Sequence, residues 1–354
     1  MIKMKDTKHV LTIGCEYKPV RGGVAQVLDI YDKYIFEDFR FIANSGGGGF
    51  GNLRLLLVSI CRLIKQLSGN RRIKIVHIHT ASYNSFYRSA IFVLLAKLLG
   101  RRVILHIHGG GFKDFYRTNP EIFIRWILQR ADCLVVLSAS WKSFFESITK
   151  KLPIHVVPNP VVLPSVEDLS AKKSSSHLRL LFLGLLDRDK GIYDLLQVLA
   201  DHKDFFESRV ILNVGGNGDA ASFKETVKQM GLEKFVVFHG WVSGDKKKEL
   251  FLNSDVFVLP SYAEGLPMAI LEAMAHGLAI VSTTVGAIPE VVGEDCGILI
   301  APGKQEELSE ALKALCVSPE RLELLKQSAI REGKQYSVEA IKEVLEAVYR
   351  EVVR

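Results

Sequence analysis

Cysteine is sparse and unpatterned in this chain: Cys15, Cys61, Cys133, Cys296 and Cys316 stand singly among 354 residues, with no Cys-x-x-Cys and no metal-like spacing. A disulfide framework or a zinc site is therefore not the basis of the fold, and a reducing compartment is expected. Long apolar runs are also missing. The longest, Leu55 to Ile60 and Ala90 to Ala96, fall far short of the roughly 18 to 20 residues that span a bilayer. The start, MIKMKDTKHVLTIG, passes from charged residues straight into a short apolar strand, without the apolar stretch and small-residue cleavage site of a signal peptide. The expectation is a cytoplasmic protein with no transmembrane segment. With 48% apolar and 24% charged residues the chain is globular throughout, and its length suits two domains, each with its own core.

Acidic residues are scarce in one half only. Residues 1 to 160 hold 24 Lys and Arg against 10 Asp and Glu, a balance of +14, while 161 to 354 hold 22 against 29, a balance of −7. Charge asymmetry of this size reports on partners, so the first half is expected to face something anionic: a membrane, a lipid diphosphate or nucleic acid.

Short β-rich runs alternate with helical patterns: Val10 to Gly14, Ile73 to His79, Val103 to His108, Cys133 to Ser138 and Ile154 to Val157. That alternation predicts βαβ units around a parallel sheet. Leu53 to Leu67 and Phe86 to Leu99 read as amphipathic helices with basic rims. After Val157, PNPVVLPSVEDLSAKKSSSH breaks every period and reads as a linker. A second series follows with Leu178 to Gly184, Val210 to Gly215, Phe235 to His239, Val256 to Pro260 and Ala279 to Ser282, and Val338 to Val353 closes the chain as a long helix.

The richest segment runs from Ser261 to Gly277: strand, turn, then a helix expected over Pro267 to His276, with proline at its start and glycine at its end. The amides of Gly265, Leu266 and their neighbours, together with the helix dipole, suit a diphosphate. Glu272 lies in an almost wholly apolar helix, where a carboxylate requires hydrogen-bond donors; a ribose diol would supply two. Glu264 lies in the turn. Leu181 to Gly191 is a strand followed by a turn carrying Arg188 and Lys190, a guanidinium fork and a point charge suited to diphosphate. Gly22 and Gly23 follow the first strand, and Gly216 and Gly218 follow another, in turns where backbone can approach a ligand. The pairs His77/His79 and His106/His108 each place two rings on one strand face, which raises a metal reading beside the plainer one of hydrogen-bonded strand ends. Asp187-Arg188-Asp189 spells a metal-chelating DxD but sits in a turn with two cations.

Glu264 and Glu272, seven residues apart, resemble the E-x7-E signature of glycosyltransferase family 4. Gly22-Gly23-Val24, His108-Gly109-Gly110, Gly184 to Gly191, Gly216-x-Gly218, His239-Gly240-Trp241 and Gly286 to Glu290 follow in the family's order. The resemblance implies an α/β, GT-B fold of two Rossmann-like domains facing across a cleft. It assigns 1–160 to acceptor binding, with 337–354 returning to it, 161–176 to a linker, and 177–336 to the nucleotide sugar. It implies a retaining transferase that handles phosphate with basic residues and a helix dipole, with no cofactor and no required metal. Glu264 would lie against the donor sugar and Glu272 on the ribose, with Val242 bracketing the base and Gly265, Leu266 and Pro267 at the phosphate. Arg188 and Lys190 would steady the leaving group. His108 would contact the transferred sugar through its side chain or nearby backbone, and His79 would lie on the acceptor side. The chain departs from the family at Leu185, where an arginine is common, and Arg188 stands in. The expected partners are a nucleoside diphosphate sugar, a saccharide or lipid-linked acceptor and an anionic membrane surface on the cytoplasmic side, rather than nucleic acid. Two alternatives are a GT-B sugar-nucleotide epimerase and a catalytically silent sugar-nucleotide-binding subunit.

Overall fold

The computed structural model describes residues 4, 7–20, 22–46, 50–170 and 175–353, the side chains of 50–52 excepted. Arg21 of the first glycine loop and residues 171–174 of the expected linker lie outside the described residues. The chain forms two compact units, residues 1–160 with 336–354, and residues 161–335.

The first unit runs β1 (Val10–Cys15), α1 (Gly23–Ile30), β2 (Phe41–Ser45), α2 (Phe50–Gly69), β3 (Ile75–Thr80), α3 (Asn84–Leu98), β4 (Arg102–Ile107), α4 (Phe112–Thr118), α5 (Glu121–Leu128), β5 (Cys133–Val136), α6 (Ala139–Ile148) and β6 (Ile154–Val156). Its six strands are parallel, in the order β2-β1-β3-β4-β5-β6. The second unit runs α7 (Val166–Ser170), β7 (Leu178–Leu183), α8 (Ile192–Asp201), α9 (Lys203–Phe206), β8 (Val210–Gly215), α10 (Ala220–Gln229), β9 (Val236–Phe238), α11 (Gly244–Leu252), β10 (Val256–Leu259), α12 (Met268–Ala275), β11 (Ala279–Thr283), α13 (Ile288–Val291), β12 (Gly297–Ile300), α14 (Gln305–Val317) and α15 (Pro319–Gly333). Its sheet is also parallel, in the order β12-β11-β10-β7-β8-β9. The closing helix α16 (Val338–Val353) packs on β3 of the first unit.

Every residue of β3, β5, β10 and β11 is buried, because helices cover both faces of a parallel sheet. Such strands read as continuous apolar runs, and ten of the twelve strands are visible in the sequence. Of the four edge strands, β6 and β9 are among those ten, and β2 and β12 are not. FIANS alternates half-buried and buried positions, and GILI is short and starts on glycine. The expected linker also carries a five-residue helix, α7, where Ser165 and Asp168 cap each other reciprocally.

Candidate active site

In an open parallel sheet, ligands bind beyond the carboxyl ends of the strands where the order of connection reverses. In the second unit that point lies between β7 and β10, since β8 and β9 extend the sheet to one side and β11 and β12 to the other. The two loops leaving these strands carry the predicted charges. Lys190, after β7, donates from Nζ to Glu264 Oε1, after β10, at 2.6 Å. Ser261 Oγ donates to the same oxygen at 2.9 Å. The Glu264 side chain is 9% exposed, so this is a largely desolvated ion pair held from two loops. The Tyr262 N–H donates to the Asp189 carbonyl at 2.8 Å and stitches the same loops along the backbone.

Glu264 leads into α12, which starts at Met268, one residue later than expected, because Pro267 takes the cap position with an extended ψ of 122°. Proline offers no side-chain acceptor, so the first-turn amides keep no side-chain cap and the positive end of the helix dipole is left for an anion. Gly265 and Leu266 lie in the turn before it, and the Gly265 carbonyl accepts from the Ala287 N–H at 2.9 Å.

Glu272 has a partner that the sequence did not point to. Both its oxygens are bonded within the unit, Oε1 at 2.8 Å and Oε2 at 2.6 Å from Lys247 Nζ of α11. The apolar helix thus holds this carboxylate against a cation from a neighbouring helix. Sequence reading missed Lys247: in the run Lys246-Lys247-Lys248 nothing distinguishes the half-buried lysine from its exposed neighbours.

The turn after β7 explains the DxD triplet. Asp187 Oδ1 accepts from the Lys190 N–H at 2.9 Å, and the Asp189 carbonyl is the one bonded to Tyr262, so both aspartates shape the loop that presents Lys190. Arg188 is exposed and forms no ion pair with a described residue. Leu185 is exposed as well. The loop after β8 joins the same group: the Leu186 N–H donates to the Asn217 carbonyl at 2.8 Å, and the Gly216 N–H donates to the Gly240 carbonyl at 2.8 Å. Gly218 lies beside Leu186, and Val242 is buried against Gly215. Lys190, Glu264, Gly265, Gly216 and Gly218 thus lie on interlocked loops at one end of one sheet.

A fourth loop holds Glu264 in place. Gly286 has φ +58°, and a Cβ there would run into the Glu264 carbonyl. Gly286→Ala is expected to cost about 1–2 kcal/mol in backbone strain and to push the Glu264 turn outward. Weaker binding of ligand at this site in calorimetry, with the unit still folded, is the expected result; unchanged binding would show that the turn is not pinned there.

In the first unit the order reverses between β1 and β3. Gly22, at φ +86°, precedes α1, which starts at Gly23, and has open space where a Cβ would stand, so backbone there is accessible to a ligand. The register pairs His79 of β3 with His106 of β4 and brings four buried imidazoles together. His77 Nδ1 meets Tyr349 Oη of α16 at 2.7 Å, His77 Nε2 meets His106 Nδ1 at 3.3 Å, and His79 Nδ1 meets His108 Nε2 at 2.8 Å. Burial holds all four neutral, His77 down to about 3 and His108 down to about 4, where a hydrogen bond with Asn159 partly opposes the shift. Ring nitrogens of His77, His79 and His106 come within 4.8 Å of one another. In this layer of rings His77 and His106 face each other as donor and acceptor, while Nε2 of His79 and Nε2 of His106 are buried with no hydrogen-bond partner among the described residues.

His79, named above for the acceptor side, lies within this layer, 2% exposed and hydrogen-bonded to His108. With Nε2 of His108 committed to His79, the half-buried backbone at Gly109 and Gly110 is the part of that turn left for a ligand. Tyr349 and Asn159 were not legible in advance, since each lies far in sequence from the ring it meets.

Comparison with known proteins follows this division. Residues 168–332 match the model described as glycosyl transferases group 1, and residues 32–163 match glycosyltransferase family 4. Over 150 residues the chain is 33% identical to the sulfoquinovosyl transferase of Arabidopsis thaliana, covering 41% of this chain and 29% of that one. Over 131 residues it is 31% identical to the putative teichuronic acid biosynthesis glycosyltransferase TuaC of Bacillus subtilis, covering 37% and 31%. The chain thus spans about a third of the length of these curated relatives. Over nearly the whole chain the fold is similar to that of sucrose-phosphate synthase from Thermosynechococcus elongatus, with TM-score 0.79, 18% identity and coverage of 97% and 98%. It is also similar to HepE of Anabaena in complex with UDP-glucose, with TM-score 0.75, 18% identity and coverage of 96% and 99%. The architecture is therefore GT-B.

Proposed function

We propose that this chain, which belongs to the group 1 glycosyltransferases, moves a sugar from a nucleoside diphosphate carrier to a hydroxyl acceptor with retention at the anomeric carbon. The observation that carries this reading is the Lys190–Glu264 pair at the β7/β10 reversal, beside the uncapped start of α12. Diphosphate would lie on the α12 amides and on Lys190, with exposed Arg188 closing on it, and Glu264 would meet the donor sugar. Glu272, fixed by Lys247, would take the ribose by sharing its oxygens. As the anomeric C–O bond to the diphosphate breaks, the acceptor oxygen bonds to the same face of that carbon. The acceptor proton passes to the departing diphosphate oxygen, so no side-chain base is needed. Lys190 and the helix dipole offset the charge that grows on the leaving group. Neither a metal nor a cofactor has a role in this reading. The acceptor would be a saccharide or lipid-linked saccharide of surface polysaccharide, handled by the basic first unit at the cytoplasmic face of a membrane.

Calorimetry with a panel of nucleoside diphosphate sugars, starting with UDP-glucose and run with and without magnesium, tests the reading. One donor class should bind at micromolar Kd, indifferent to magnesium, and about tenfold or more weaker in Glu272→Ala, as expected when a charged hydrogen-bond partner is lost. Lys247→Ala should weaken it similarly by freeing Glu272. Failure of every donor to bind a folded protein would favour a silent partner subunit, and release of an altered sugar nucleotide without acceptor would favour an epimerase.

A further inference from the structure

Helices that pack against a sheet ordinarily turn their polar side outward. Three helices of the first unit carry apolar side chains outward as well as inward. On α2, Leu53, Leu57 and Ile64 recur at helical spacing on the exposed side. On α3, Phe86, Phe92 and Val93 are buried, while Ile91, Leu94 and Leu98 form the opposite, exposed stripe, with Leu98 82% exposed. On α5, Ile124 and Ile127 are buried while Ile122, 86% exposed, and Trp126 point outward. These surfaces adjoin: α3 touches both α2 and α5, and Phe123 of α5 stacks on Tyr87 of α3 at 6.0 Å. Monomeric proteins rarely leave an apolar surface of this extent uncovered.

Charge selects what covers it. Neither α2 nor α3 contains an acidic residue; Arg54 and Lys65 are exposed beside the leucines of α2, and Arg62 is exposed further round that helix. Arg130 lies over the Trp126 ring at 4.9 Å, which sets a cation and an amphipathic aromatic side by side. Apolar side chains ringed by cations, with an indole among them, match the boundary between headgroups and acyl chains of an anionic bilayer. We infer that the outer faces of α2, α3 and α5 form one membrane-docking surface that seats the first unit on anionic lipid. This deepens the partner named above but does not depend on the transfer reaction.

Sedimentation with vesicles of phosphatidylcholine, alone and with about 30% phosphatidylglycerol, tests the surface in the absence of donor and acceptor. The full chain should pellet with the anionic vesicles and not the neutral ones, and release as salt is raised. Arg54→Ala/Arg62→Ala/Lys65→Ala should lower partitioning on the order of 100-fold at low salt. Leu94→Glu/Trp126→Ser should lower it about tenfold or more. Both variants should keep wild-type donor affinity, because none of the changed residues belongs to the unit that carries Lys190 and Glu264; loss of donor binding in the wild type would count against the transferase reading alone. Wild type that stays in the supernatant at low salt, or variants that pellet as well as wild type, would overturn the surface. A dimer in ultracentrifugation that Leu94→Glu splits would overturn it in favour of a second copy.

Discussion

Lys190→Ala is expected to lower kcat/KM for sugar transfer by about 10² to 10³, the usual consequence of removing one preorganised donor from a developing anion. Two losses combine. The diphosphate loses its point charge, and Glu264, 9% exposed and bonded to Lys190 at 2.6 Å, loses its cation and keeps Ser261. A buried carboxylate stripped of its partner is destabilised by about 3 kcal/mol, so the Glu264 turn should shift as well. Lys190→Arg should recover only part of the rate, since a planar fork does not fill the place of a compact ammonium. Single-turnover transfer with a bound donor checks this, and thermal unfolding separates the chemical loss from the structural one. Transfer within about threefold of wild type in a folded Lys190→Ala protein would remove Lys190 from the mechanism.

The second large effect is on acid stability of the first unit. His77, His79, His106 and His108 are held neutral by burial, with folded-state values far below the ordinary 6.5. The groups packed around them, Tyr31 and Tyr349, are pushed upward by burial and stay neutral. Between pH 6.5 and about 4 the unfolded chain therefore binds protons that the folded unit refuses, and stability falls as pH falls. It is full above 6.5; His108 has given up its share near 4 and His77 near 3. All four shifts have the same sign, so the groups act together to lower stability as the pH falls. Hydrogen exchange at pH 7 and pH 5 should show β3 and β4 losing protection while the second unit, which has no such layer among its described residues, changes little. His106→Asn should flatten the dependence, since it removes one of the buried groups that resist protonation. Equal protection in β3 and β4 at the two pH values would show that the layer accepts protons without unfolding.

Several parts of the site were legible because their signals are local. Glu264, Gly265 and Pro267 lie within four residues, and strand, turn and helix start follow one another in the chain. Lys190 is legible for the same reason, in a turn bounded by a buried strand and a glycine at φ +70°. What escaped was set by partners distant in sequence. Lys247 meets Glu272 across 25 residues and Tyr349 meets His77 across 272, and no periodicity encodes such encounters. The outward apolar stripe of α3 escaped differently: a helix apolar on all sides gives the same sequence pattern whether one side is buried by protein or exposed.

The sequence by itself determined the two α/β units, the positions of the buried strands and the family, because apolar period, turn chemistry and the spacing of two glutamates are properties of adjacent residues. It also determined that the first half is basic. Only the tertiary structure decided the strand orders, and with them where each sheet reverses and which loops meet. It decided that Glu272 meets a lysine, that His79 meets His108 inside the core, and that leucines of α2 and α3 stay uncovered. The physical reason is the same in each case: hydrogen bonds and burial depend on distance in space, which the chain sets only once its sheets have formed.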